Sequence, residues 1–112
     1  MNIKNDTGDQ TYNDITATYL NIETDTGDTK LTNTIIQEDF TFIGGTGNVL
    51  FDGFDAKNID MELSTGDVKG TILTGKVFDA HSDTGKVIVP ENKDGGNCKI
   101  NVSTGDIYIS YK

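Results

Sequence analysis

MELSTGDVKGTI, Met61 to Ile72, places apolar residues at alternate positions through Leu63, turns through Ser64-Thr65-Gly66-Asp67, and resumes the alternation at Val68. Alternation with period two is the mark of a strand with one buried face, and a Gly-Asp pair between two strands marks a tight corner. The phrase recurs along the chain. Thr-Gly pairs stand at Thr7-Gly8, Thr26-Gly27, Thr46-Gly47, Thr65-Gly66, Thr84-Gly85 and Thr104-Gly105, always 19 or 20 residues apart. A fixed period of this length specifies a solenoid, in which each repeat buries its apolar face only against its neighbours.

Counting back from each threonine, alternate residues form an inward column: Met1 and Ile3, Leu20 and Ile22, Phe40 and Phe42, Ile59, Met61 and Leu63, Phe78 and Ala80, then Cys98, Ile100 and Val102. The interleaved residues are polar except Ile43, so they face water. After the corner Val49, Phe51, Val68, Val87, Val89, Ile107 and Ile109 point inward, while Gln10 and Thr29 take that place in the first two coils. A further inward column is predicted at Ile15, Ile35, Phe54 and Leu73, with the small residues Ala17, Ala56 and Gly75 two places on. Pro90 to Asn97 holds no apolar residue besides the proline and reads as a protruding loop. The expectation is an all-β, single-stranded β-solenoid of about six coils stacked ~4.8 Å apart. Its corners, at Gly8, Gly27, Gly47, Gly66, Gly85 and Gly105, line one edge, and helix is nearly absent.

The chain has 112 residues and a formal charge of -9, which fits one acidic domain over residues 1–112 and argues against unassisted nucleic-acid binding. Only 34% of residues are apolar and 13 are glycine, as a thin core with many corners requires. The single cysteine excludes an internal disulfide. No run approaches the ~18 apolar residues of a membrane span, and the first residues lack the apolar core of a secretion signal. Both ends of the predicted stack are open strands, which favours a piece of a longer exported chain over a cytosolic protein.

The phrases MELSTGDVKG and INVSTGDIYI resemble the repeat of a bacterial adhesin-type domain family of unknown function, and the resemblance spans essentially the whole chain. It implies a β-helix-like solenoid in envelope-associated or envelope-stress accessory proteins, a surface-facing role without catalysis, and no site residue to transfer. Asn48 and Lys86 depart from the pattern by replacing the aspartate after glycine.

Three patterns bear on chemistry. Asp-Thr-Gly, at residues 6–8, 25–27 and 83–85, is the signature of aspartic proteases, but it recurs here on the structural period and lacks apolar flanks. Asp6 with Asp25 and Asp9 with Asp28 would stack as short acidic columns, the kind of oxygen cluster that takes Ca²⁺; the plainer expectation is that each aspartate accepts backbone N–H bonds in its own turn. No other cofactor is expected. Lys86 is placed between Asp67 and Asp106, and His81 beside Glu62 and Asn101. Ile43, Leu50, Ile88 and Tyr108 are apolar or aromatic at outward positions and form the candidate contact set for an unidentified protein or envelope component. The alternative is an intracellular structural protein that polymerises end to end through Met1 to Lys4 and Ile107 to Tyr111; a protease is a distant third.

Overall fold

A computed structural model describes residues 2–73, 76–90 and 95–111, the Lys76 side chain excepted. Twelve strands follow in order: β1 (Asn2–Thr7), β2 (Gln10–Asn13), β3 (Thr16–Ala17), β4 (Leu20–Thr26), β5 (Thr29–Thr32), β6 (Ile35–Thr46), β7 (Val49–Thr65), β8 (Val68–Ile72), β9 (Lys76–Thr84), β10 (Val87–Ile88), β11 (Gly96–Thr104) and β12 (Ile107–Tyr111). All pairings are parallel, and no helix occurs among the described residues. The chain is a β-solenoid of about five turns, counted between six Thr-Gly corners that stack on one edge, one corner to each coil. The strand before each corner builds a first side and the strand after it a second; β7 runs from the second side of one coil into the first side of the next. The molecule measures 36 × 32 × 18 Å.

The corners dictate glycine. Gly66 has φ +139°, and a Cβ there would run into the Gly47 carbonyl oxygen of the coil below. Close approach also closes the ladder: the Gly47 amide donates to the Thr65 carbonyl at 3.0 Å and the Val49 amide to the Asp67 carbonyl at 2.8 Å. A second corner turns through left-handed backbone at Asp14, Asn33 and Gly53, residue types that tolerate it.

The predicted alternation holds on the first side, where Leu20, Ile22, Phe40, Phe42, Ile59, Met61, Leu63, Ile100 and Val102 are buried. Coil three supplies the centre: the Phe40 ring meets Phe54 edge-on at 4.8 Å, and Phe54 stacks on Phe51 at 4.6 Å. The column after the second corner is shifted by one residue in two coils. Thr34 and Ile72 occupy the inward places expected of Ile35 and Leu73, and Leu73 is exposed. For Ile72 the cause lies at Gly53, where β7 carries one residue more than β8 between the pairs Phe51–Gly70 and Phe54–Ile72; Thr34 follows from the regular register, which puts Ile35 beside Asp55 and hence Thr34 beside Phe54. Thr34 is tolerated inside because its hydroxyl donates to the Thr32 carbonyl at 3.3 Å. Ala17, Ile36 and Ala56 form the next column; Met1 and Gly75 lie outside the described residues.

The coils do not stack in the order in which they are written. β11 lies between β7 and β9, and β12 between β8 and β10, so the sequence of coils along the axis is 1-2-3-4-6-5. The sixth coil is inserted under the fifth. This corrects three expectations. Asp106, not Lys86, sits in the middle of the Asp67–Asp106–Lys86 column. His81 pairs in register with Asn101 only, and Glu62 lies one coil further away. The second open end is β9 and β10 rather than Ile107 to Tyr111, which leaves Val87 37% exposed although it occupies an inward register. The loop expected over Pro90 to Asn97 is also shorter, since Gly96 and Asn97 open β11; residues 91–94 lie outside the described set. Gly96 fits this slot for want of a side chain: a Cβ would collide with the Lys57 carbonyl.

Candidate functional site

The residue after each corner glycine builds a second ladder beside the backbone one. Asp9 Oδ1 accepts the Asp28 amide at 3.0 Å, and Asp28 Oδ1 accepts the Asn48 amide at 2.9 Å. The relay continues from Asn48 to Asp67 at 3.0 Å, from Asp67 to Asp106 at 2.9 Å and from Asp106 to Lys86 at 2.8 Å. Each side chain therefore serves the next coil's turn, not its own. Asn48 fits because an amide oxygen accepts as a carboxylate does, and Lys86 fits because among the described residues its coil is the last and has no neighbour to serve.

The predicted metal residues are thus partly committed: one oxygen each of Asp9 and Asp28 is spent on backbone amides. Asp6 and Asp25 are exposed. Among the described residues no three His, Cys, Asp or Glu side chains gather closely enough to hold a metal ion. The Asp-Thr-Gly triplets lie on the exposed ridge of coils 1, 2 and 5, where the Asp83 carboxylate is 2.9 Å from His81 Nε2. Cys98 is buried, as expected of an inward thiol.

The apolar contact set is divided between two sides. Ile43 lies on the first side between Glu23 and Glu62 of adjoining coils. Leu50, Tyr108 and Ile88 share one outward row of the second side, in the spatial order Lys30, Leu50, Lys69, Tyr108, Ile88. Leu50 is 41% and Ile88 54% exposed. The Lys69 ammonium stands 5.8 Å from the Tyr108 ring centroid, within cation–π range. Tyr108 donates to Asp106 Oδ2 at 3.4 Å. Loss of water around the phenol, then the Asp106 charge and hydrogen bond, then Asp67, raise its pKa above the usual 10.0. Two shallow grooves of about 380 and 790 Å³ open on this face and share Lys30, Leu50 and Lys69. The lysines were missed as site residues because each stands alone in sequence; only the register gathers them.

Parallel coils, glycine corners and a side-chain ladder define a β-solenoid whose repeated residues are structural and whose variable residues face outward. The Toastrack DUF4097 family profile matches residues 1–112, and the chain belongs to this family, whose function is unknown. No curated protein and no solved structure matches it.

Proposed function

We propose that this domain is a non-enzymatic binding or scaffolding module of a bacterial cell envelope, acting through its second side. The observation that carries the reading is the row Lys30, Leu50, Lys69, Tyr108, Ile88: exposed Leu50 and Ile88 and half-buried Tyr108 stand among two cations on a rigid strand face of an acidic molecule. A partner with apolar groups and anionic or aromatic ones is matched there, because each apolar residue offers contact area and each lysine a charge-assisted bond. A catalytic reading finds less support. A proton-sharing aspartate pair works when shielded from water, and the three Asp-Thr-Gly carboxylates are exposed.

The test is sedimentation of the purified domain with isolated bacterial sacculi or envelope fragments, beside ribosome-cleared cytosol as a control. Cosedimentation with envelope material that is lost in a Leu50→Glu, Ile88→Glu double variant of unchanged melting temperature supports the reading. Equal recovery of both proteins, or no binding to envelope material, overturns it.

A further inference from the structure

Among the described residues, each end of the stack is a parallel strand edge with a neighbour on one side only: β1 and β2 at one end, β9 and β10 at the other. The ends are not alike. From the Gly8 amide on the Thr26 carbonyl to the Ile107 amide on the Lys86 carbonyl, the corner amides point toward the fifth coil and the corner carbonyls toward the first. The same polarity leaves the Gly85 and Val87 amides directed outward at one end, and the Thr7 and Asp9 carbonyls directed outward at the other. At the Thr-Gly corners donors therefore face acceptors when unlike ends meet, while elsewhere each edge carries both kinds of group, as the Ile35 amide on the Ile15 carbonyl shows.

We infer that a second copy of this chain docks head to tail, with its first coil on the fifth coil of the molecule before it, so that both sides continue as one β-solenoid.

The side chains match in the register that the corners impose. Asp9 comes over Lys86, so an ion pair succeeds the amide relay at the one corner residue with no acceptor oxygen. Asn2 comes over Asp79, extending the column in which the Asn21 amide already donates to Asn2 Oδ1 at 2.8 Å. Ile3, half-buried at one end, comes over half-buried Ala80 at the other. The contact is heterologous and does not close on itself, so it propagates into a rod. One of its two edges differs from those that chain order indicates, because the inserted sixth coil takes Ile107–Tyr111 out of the end.

Two measurements test this on the whole chain. Sedimentation velocity over a wide concentration series is expected to show multimers growing with concentration, and Lys86→Glu to raise the concentration of half-association about tenfold through like-charge contact with Asp9. In a Thr7→Cys, Thr84→Cys variant the two thiols of adjoining copies lie one strand spacing apart, ~4.8 Å between Cα atoms, within disulfide range. Mild oxidation is then expected to give a ladder of covalent multimers, while Thr7→Cys alone gives none. A monomer at every concentration with no ladder overturns the inference. A dimer cross-linked by Thr7→Cys alone overturns it equally, since it places like ends together.

Discussion

Asn48 shows how little freedom a corner residue has. Its side-chain oxygen holds the Asp67 amide at 3.0 Å while its own amide is held by Asp28. Asn48→Ala removes one acceptor and is expected to cost about 1 kcal/mol in urea-monitored unfolding, whereas Asn48→Asp keeps the acceptor and stays within a few tenths of wild type. A loss as large for aspartate as for alanine would contradict the ladder. Tyrosines 12 and 108 give a second test. Burial raises the Tyr12 phenol, and desolvation with the Asp106 carboxylate raises Tyr108, both from the usual 10.0. A phenol whose folded pKa is raised holds its proton longer in the folded state, so its stabilising share is intact below pH 10 and falls away as pH climbs through the raised value. Phenolate absorbance is expected to show a late fraction that shrinks in Tyr108→Phe, and an unchanged titration would refute the assignment. Inward and outward residues near the corners were legible in sequence, because period two leaves no choice there. Thr34 and Ile72 were not: a polar threonine beside two isoleucines does not advertise an inward place, and the extra residue at Gly53 shifts the register of Ile72 without a periodic trace.

Among the elements, the order of the last two coils is what sequence conceals. Every coil carries the same corner phrase, so any coil can follow any other as far as hydrophobic pattern goes, and adjacency in chain is the default. Three residues break the tie once the ladder is known. Lys86 has no acceptor for a coil above it, Pro90 follows β10, where an edge strand tolerates a missing N–H, and Gly96 alone fits beneath the Lys57 carbonyl. In the order 4-5-6 the Asp106 amide would meet Lys86 and lose its partner. The consequence is kinetic as well as static: β9 and β10 have a neighbour to rest on only after residues 96–111 have entered the stack. Hydrogen exchange tests the order directly. β12, at the end of the chain, lies between β8 and β10 and is expected to exchange more slowly than β10 on the rim. Faster exchange in β12 would restore the sequential order. The same insertion hid the candidate site in part, since Tyr108 neighbours Lys69 only because the sixth coil rests on the fourth.

For the whole molecule the controlling quantity is a charge of -9 spread over 112 residues. Both sides mix signs: Glu23, Asp60, Glu62 and Asp79 stand exposed on the first side beside Lys4 and Lys99, and Lys30 and Lys69 lie on the second. Self-repulsion of this kind is long-ranged and screened by salt, so the melting temperature is expected to rise by a few degrees between ~10 and ~150 mM monovalent salt. Calcium separates that general effect from a site. The corner aspartates repeat at the strand spacing, but the ladder takes an oxygen from each of Asp9 and Asp28 and holds it toward the backbone, leaving fewer free donors than the 6–8 oxygens that Ca²⁺ collects. Millimolar Ca²⁺ is therefore expected to move the melting temperature no further than Mg²⁺ at equal ionic strength. A saturable shift specific to Ca²⁺, abolished by Asp6→Asn with Asp25→Asn, would place an ion at the corner ridge and make the ridge a binding site rather than a structural spine.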